Sequence, residues 1–182
     1  MKNNSIKNVV ATGIGAALFV IIGILINIPT FVPNTSIQLQ YAVIALFAII
    51  YGPVVGFFSG FIGHALKDAL QYGNPWWTWI LVSGLIGLAI GLLSKKINIE
   101  KGHLTLSDYV WFNGVQIVAN LLGWGLIAPY GDILIYNEAS NKVFAQGFLS
   151  AGINIFTVAV GGSLLLAAYA KTRVKKGSLT KD

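Results

Sequence analysis

The feature that most constrains this chain is a run of twenty uncharged, mostly apolar residues at positions 9–28. At about 1.5 Å of rise per residue, such a helix is about 30 Å long, which matches the hydrocarbon core of a bilayer. Similar runs recur along the sequence, and only 10% of its 182 residues are charged, against about 25% in an average soluble domain. Because so few charges cannot cover a soluble surface, the sequence predicts an all-α membrane protein.

Proline and glycine divide the chain into six apolar segments. Pro29 and Pro33 follow the first run, Gly52 and Pro53 separate the second from the third, and a turn-like sequence ending at Pro75 precedes the fourth. We therefore predict a single domain over residues 1–182 with six transmembrane helices, at about 9–28, 38–51, 54–70, 76–93, 109–128 and 143–170. Residues 129–142 are predicted to connect the last two. Because the second and third segments are short, an alternative joins them into one long broken helix.

The basic residues indicate how these helices are oriented. Ten of the twelve Lys and Arg residues fall in the N-terminal segment, the loop after the fourth span and the C-terminal tail, whereas Lys67 and Lys142 fall on the opposite side. The positive-inside rule then places both termini in the cytoplasm, in a multi-pass protein of the cell membrane. Five spans would put the basic tail outside, which disfavours the merged helix. Since the charges are split over three short segments, no nucleic acid partner is expected.

Several classes of function lack their sequence signals. Lys2 and Lys7 precede the first run as they would in a signal peptide, but no cleavage site with a soluble domain follows, so we interpret it as a retained helix. Cysteine is absent, which excludes thiolate metal sites and disulfides. Phosphate-binding loops and the common hydrolase motifs are also missing. We expect no enzyme activity, no metal and no cofactor.

Polar side chains form one stripe on the fifth span and another on the sixth. Each stripe repeats every three or four residues, the spacing of one helix face; the members are Asn113, Gln116, Asn120 and Trp124 on the fifth span, and Gln146, Ser150, Asn154 and Thr157 on the sixth. Interhelical hydrogen bonds alone could explain them. For the outer members Asn120, Gln146 and Ser150 we favour contact with a ligand, while Asn154 suits either role. Trp124 is included among the candidate binding residues.

Ionisable residues gather where the third span ends. His64 and Asp68 are four residues apart on one face, and Lys67 lies one turn from His64. They can pair with one another and cap the helix, or they can present hydrogen bonds to a polar ligand at the outer mouth. A proton relay would need further ionisable groups across the membrane, and the other spans offer none.

Three tryptophans, Trp76, Trp77 and Trp79, open the fourth span. An aromatic belt at the membrane surface is the ordinary explanation, and a stacking wall for a flat ligand is the alternative. Neighbouring positions on a helix differ by about 100°, so we expect one of these rings to turn inward.

Small residues on the first span form three interleaved pairs spaced by four. Ala11 pairs with Gly15, Thr12 with Ala16, and Gly13 with Ala17. Small residues in this register allow helices to approach closely. The pairs cover more of the helix than one neighbour within the bundle needs, so they indicate contact with a separate subunit.

Four segments together resemble a known family: residues 10–19, 51–57, the Gly-His-Ala-Leu-Lys-Asp sequence within 60–68, and the Trp-Trp-Thr-Trp sequence within 75–79. The chain resembles the substrate-binding S components of energy-coupling factor (ECF) vitamin transporters, and is most similar to the subgroup labelled ECF-type riboflavin transporter S components. The resemblance extends to length, span number and topology.

The resemblance implies the rest of a transport machine. An S component captures a vitamin outside the cell, and a transmembrane T component with two cytoplasmic ATPase subunits supplies the energy. Positions 29–37 match the family's lid, with Gln38 at its end included in the candidate site, and Ala11, Gly15 and Ala16 match the surface for the T component.

For the ligand we expect a flat, mostly uncharged heteroaromatic ring, such as a hydroxymethylpyrimidine- or pyridoxine-like molecule or riboflavin, because only two basic residues lie outside. A stand-alone proton-coupled transporter using His64 and Asp68 is the alternative.

Overall fold

Six helical rods and one short β-hairpin form the part of the chain that the computed structural model describes, residues 2–97 and 99–173, with side chains from Ser5 onward. The first half comprises α1 (Lys2–Leu25), strands β1 (Asn27–Pro29) and β2 (Ser36–Gln38), α2 (Gln40–Tyr51), α3 (Pro53–Tyr72) and α4 (Trp77–Gly91). The second half comprises α5 (Leu106–Leu122), α6 (Ala128–Tyr136), α7 (Ser140–Thr157) and α8 (Ser163–Lys171). The structure is therefore mostly helical, as predicted.

Two separate helices occupy the region where a single broken helix was the alternative. Gly52 adopts φ +94° between α2 and α3, a conformation that favours glycine, and Pro53 begins α3 where a helix needs no N–H donor. The two helices pack against each other. The merged helix is therefore not what forms.

The fifth and sixth rods are longer than the sequence predicts. A π-helical turn, Gly123–Ile127, joins α5 to α6, and a second, Val158–Gly162, joins α7 to α8. The connection predicted over 129–142 is wrong for most of its length, because α6 continues to Tyr136. Pro129 is accommodated in the first turn of α6, immediately after the π-helical turn, where its missing N–H costs little.

Four of the described rods are long and apolar enough to cross a membrane. They are Ser5–Leu25, Trp77–Lys95, Leu106–Tyr136 and Ser140–Lys171, and α2 is a shorter apolar helix. The chain is thus an integral membrane protein by helix length and composition. Of the basic residues used above for orientation, the side chain of Lys2 and the positions of Lys175, Lys176 and Lys181 lie outside the described residues.

The α1 face predicted to meet a partner points into the chain instead. Ala11 and Ala16 are each only 4% exposed, and a Cβ on Gly15 would lie 2.5 Å from Ser59 Oγ of α3. These three residues let α1 approach α2 and α3, so the assignment of this face to a separate subunit is corrected. Of the small residues in the interleaved pairs, Gly13 and Ala17 are exposed.

Candidate functional site

A cavity of about 360 Å³ lies between the β-hairpin and the ends of α3, α4, α6 and α7. Ten of the twelve side chains chosen from the sequence as binding residues line it: Gln38, His64, Lys67, Asp68, Trp76, Trp79, Trp124, Gln146, Ser150 and Asn154. Cavities of this volume accept ligands of vitamin size. The cavity also includes residues that the sequence did not single out, above all Tyr41, Tyr72 and Asp132.

One wall of the cavity is aromatic. Trp79 and Trp124 stack with ring centroids 5.4 Å apart and an interplanar angle of 27°, and Tyr41 meets Trp124 edge-on at 5.5 Å. Trp124 belongs to the π-helical turn, which shifts the side-chain register of the rod at this point. A flat heteroaromatic ring can pack against such a surface in offset or edge-to-face geometry.

Asp132 of α6 holds this wall in position. Its carboxylate accepts hydrogen bonds from Trp76 Nε1 at 2.9 Å, from Trp79 Nε1 at 2.7 Å and from the Thr78 hydroxyl. Sequence reasoning missed Asp132 because it was placed in a connecting segment. The sequence feature that could have identified it is an acidic residue that directly follows an uncharged run, residues 109–131, long enough to span the membrane.

His64 and Asp68 at the end of α3 pair with each other, and together with Lys67 they line the cavity. His64 Nε2 lies 3.3 Å from Asp68 Oδ1, and His64 Nδ1 lies 2.6 Å from Ser83 Oγ. Asp68 Oδ2 accepts the Trp76 backbone N–H at 3.1 Å. The hydroxyl of Tyr41 completes the network, 3.1 Å from Ser83 Oγ. This network fixes the orientation of the His64 ring beside the aromatic wall.

Two of the chosen binding residues do not line the cavity. Asn120 is fully buried, and its Oδ1 accepts a hydrogen bond from Trp124 Nε1 at 2.9 Å, so it positions that ring and does not contact a ligand. Trp77 is 53% exposed and packs near Phe61, with centroids 6.2 Å apart. One of the three tryptophans was expected to turn inward. Two of them, Trp76 and Trp79, line the cavity.

The inner members of the α5 polar stripe join helices, whereas Thr157 of the α7 stripe donates to the Asn154 backbone oxygen of its own helix at 3.3 Å. Gln116 Nε2 donates to the Ile155 backbone oxygen at 3.2 Å, and Asn113 Nδ2 lies 3.4 Å from Ser163 Oγ. For these residues the interhelical explanation of the polar stripe holds.

The β-hairpin and its loop line the cavity at the position of the predicted lid. Strands β1 and β2 pair antiparallel, with Asn27 opposite Gln38. The Thr30 and Thr35 hydroxyls hydrogen-bond each other across the connecting loop. Gln146 of α7 donates from Nε2 to the Pro33 backbone oxygen at 2.9 Å, so the hairpin is tied to the opposite wall. Among the described residues, no cluster of acidic residues and histidines could hold a metal ion.

Comparison with known proteins defines the family. The model of the ECF-type riboflavin transporter S component family matches residues 3–171 of the chain. The chain belongs to this family. It is an S component of the energy-coupling factor type, a transport protein of the membrane and not an enzyme by family. The family resemblance found in the sequence is confirmed.

Relatives of this S component align over nearly their whole length. A UPF0397 protein of Streptococcus agalactiae serotype Ia is 66% identical over 182 residues, all of both chains. One from Streptococcus gordonii is 64% identical over 178 residues, 98% of this chain and 95% of that protein. One from Lactococcus lactis subsp. cremoris is 60% identical over 182 residues, again all of both.

A solved structure has the same fold. The S component for biotin from an ECF-type ABC transporter superposes with a TM-score of 0.66, covering 92% of this chain and 93% of that one at 15% identity. At this identity the likeness establishes the fold of this S component and does not identify its ligand.

Proposed function

We propose that this S component captures a water-soluble vitamin or vitamin precursor at the outer face of the cell membrane and delivers it with a T component and two ATPase subunits. The observation that carries the proposal is the cavity lined by the β-hairpin, with the Trp79–Trp124 wall on one side and amide and hydroxyl groups of α7 on the other. Such a lining suits a flat heteroaromatic ring with hydrogen-bonding substituents.

The topology that goes with this proposal has six spans and both termini in the cytoplasm. Two observations support this topology. The described part of the chain forms six helical rods, and the basic residues fall mainly on the side of the membrane assigned to the cytoplasm. The cavity then opens on the outer side, where a vitamin arrives.

The function is tested on the full chain purified from its native membrane. Mass spectrometry of released small molecules is expected to identify one heteroaromatic vitamin or precursor, and a panel with hydroxymethylpyrimidine, pyridoxine, riboflavin and biotin checks its affinity. The T component and ATPase subunits should co-purify.

The stand-alone transporter that uses His64 and Asp68 gives a different result. Vesicles containing this chain alone would then accumulate substrate under a pH gradient, whereas an S component requires its partners and ATP. Uptake by the chain alone would contradict the proposed function.

A further inference from the structure

Lys67 is a buried cation that forms no salt bridge and no hydrogen bond among the described residues; its ammonium lies 6.0 Å from the centroid of the Tyr72 ring. The residue is 3% exposed, and among the described residues no carboxylate oxygen lies within 4.0 Å of its ammonium and no hydrogen bond reaches it. Its stem packs where a Cβ on Gly23 would be 2.9 Å from Lys67 Cδ, so α1 encloses the aliphatic part. Lys67 lines the cavity, and its ammonium nitrogen is not one of the fully buried polar atoms that lack a hydrogen-bond partner. The ammonium is therefore accessible from the cavity.

The acidic groups around the cavity are already engaged by the chain itself. Asp68 faces His64 Nε2 and the Trp76 N–H, Asp132 accepts two indole N–H groups and the Thr78 hydroxyl, and Glu138 pairs with Lys142 at 2.7 Å. Lys142, the other basic residue of the cavity, is therefore also paired. Indole, hydroxyl and backbone N–H donors do not cancel the charge of a carboxylate, so the cavity has no excess of positive charge. What remains for a ligand is one cationic hydrogen-bond donor, the Lys67 ammonium, which has no hydrogen-bond partner among the described residues.

An unpaired buried charge is costly, and its cost is recovered when an opposite charge binds to it. Charge-assisted hydrogen bonds to an ammonium are also stronger than neutral ones. We propose that Lys67 is an anion subsite and that the ligand is a flat heteroaromatic ring carrying one carboxylate. This inference rests on the proposed function and narrows its substrate class.

The placement of Lys67 limits how far the acid lies from the ring. His64 lies beside the aromatic wall, 6.3 Å from the Trp124 ring centroid, and Lys67 follows it by three residues on α3. Three residues correspond to about 4.5 Å along a helix. Lys67 is thus one turn of α3 from the residue beside the wall, and the proposal places the carboxylate on the ring itself or on a short arm. The sequence alone favoured an uncharged ring because it does not show that Lys142 is paired and Lys67 is not.

Two sets of commercially available probes share a ring and differ in charge. Nicotinate, nicotinamide and 1-methylnicotinamide carry a negative, a zero and a positive charge, and 4-pyridoxate, pyridoxine and pyridoxamine repeat the series on a pyridine ring with more substituents. Binding of each to the full chain is measured by thermal shift and calorimetry at up to millimolar concentration. In the wild type we expect the acid of a series to bind about tenfold to a hundredfold more tightly than its neutral member.

Substitutions then assign this preference to Lys67. Lys67→Met is expected to abolish the preference for the acid, Lys67→Arg to retain part of it, and Lys101→Met, on an exposed residue outside the cavity, to leave it unchanged. The melting temperature of the ligand-free Lys67→Met variant should rise, because a buried ammonium that lacks a hydrogen-bond partner is removed.

Four results would overturn the inference: a neutral or cationic probe that binds as tightly as its acid in the wild type, a preference for the acid that survives Lys67→Met, a ligand-free Lys67→Met variant that melts lower than the wild type, or no binding by either acid. Failure of the proposed function is measured separately, as the absence of assembly with the T component.

Discussion

Asp132 is a single residue on which the geometry of the aromatic wall depends. Its carboxylate accepts hydrogen bonds from two indole N–H groups and one hydroxyl, and the residue is only 2% exposed. Buried donors that lose their acceptor each cost about 1–3 kcal/mol. The residue is remote in sequence from Trp76 and Trp79, so it joins α6 to the start of α4.

Replacing Asp132 with Ala is expected to weaken ligand binding at least tenfold and to lower the melting temperature, because Trp76, Thr78 and Trp79 lose their shared acceptor. Asp132→Asn, which keeps one acceptor oxygen, should lose less. Calorimetry and thermal unfolding in detergent provide the measurements. Asp108→Ala is the control, since Asp108 only completes the capping box of α5; unchanged affinity in Asp132→Ala would show that the wall does not depend on this carboxylate.

Gln146 has a second role besides the ligand contact expected from the sequence, because it also binds the hairpin. It lines the cavity, but its amide also holds the Pro33 carbonyl of the hairpin. Gln146→Met removes that donor at similar volume, so we expect the ligand to dissociate about fivefold faster, equivalent to about 1 kcal/mol. Stopped-flow measurement gives the dissociation rate.

Hydrogen exchange in the ligand-free protein separates the two roles of Gln146. Amides of residues 27–38 should exchange faster in Gln146→Met than in Ser150→Ala, since Ser150 lies one turn later on α7 without a hydrogen bond to the described hairpin. Equal exchange in both variants would mean that Gln146 acts on the ligand alone.

At the scale of elements, α3 and α4 approach each other closely through glycine residues. A Cβ on Gly87 would lie 2.1 Å from the Gly56 backbone oxygen, and one on Gly60 would lie 2.5 Å from the Ser83 backbone oxygen. This approach brings Ser83 within reach of His64 and so positions the ionisable end of α3. The small residues at this helix contact thus position the site without lining it themselves.

We expect Gly87→Ala to lower stability by about 1–3 kcal/mol, because the added methyl group has no space and the helices must separate. Gly152→Ala is the matched control, since nothing lies within 4 Å of a Cβ there, and it should gain about 0.5–1 kcal/mol from helix propensity. Thermal unfolding of both variants in the same detergent compares them. Equal melting temperatures would mean that the contact between α3 and α4 is looser than described.

At the scale of the whole molecule, one face of α1 remains available to another subunit. It carries Gly13 and Ala17 between exposed apolar residues such as Val10, Ile14 and Ile21. A small patch flanked by larger side chains permits a close helix–helix contact in a membrane. We therefore place the proposed contact with the T component on this face, in place of Ala11, Gly15 and Ala16.

Gly13→Leu and Ala17→Leu are expected to leave melting temperature and ligand affinity unchanged while reducing co-purification of the T component severalfold, because the helices can no longer approach. Gly15→Leu should instead destabilise the S component itself, since Ser59 fills that space. Gly152→Leu, exposed on α7, controls for a large side chain facing lipid. Normal assembly with both α1 variants would place the docking surface elsewhere.

The sequence by itself determined the properties that depend on local hydrophobicity. A run of apolar residues specifies a membrane helix wherever it packs, so the six apolar helical segments were predicted, together with the family, but the extension of the fifth rod through α6 was not. The polar residues of α3 and α7 were also identifiable, because hydrogen-bonding side chains are costly in hydrocarbon and stand out against it.

Only the tertiary structure decided which partners those side chains have. The small residues of α1 surround most of the helix, and packing alone selects Gly15 for the inside and Gly13 for the outside. Asp132 joined the site because a π-helical turn lets the rod continue past Pro129. Lys67 and Lys142 are alike in sequence, yet Glu138 neutralises one and leaves the other facing the cavity. These outcomes depend on contacts between distant segments, which no local pattern encodes.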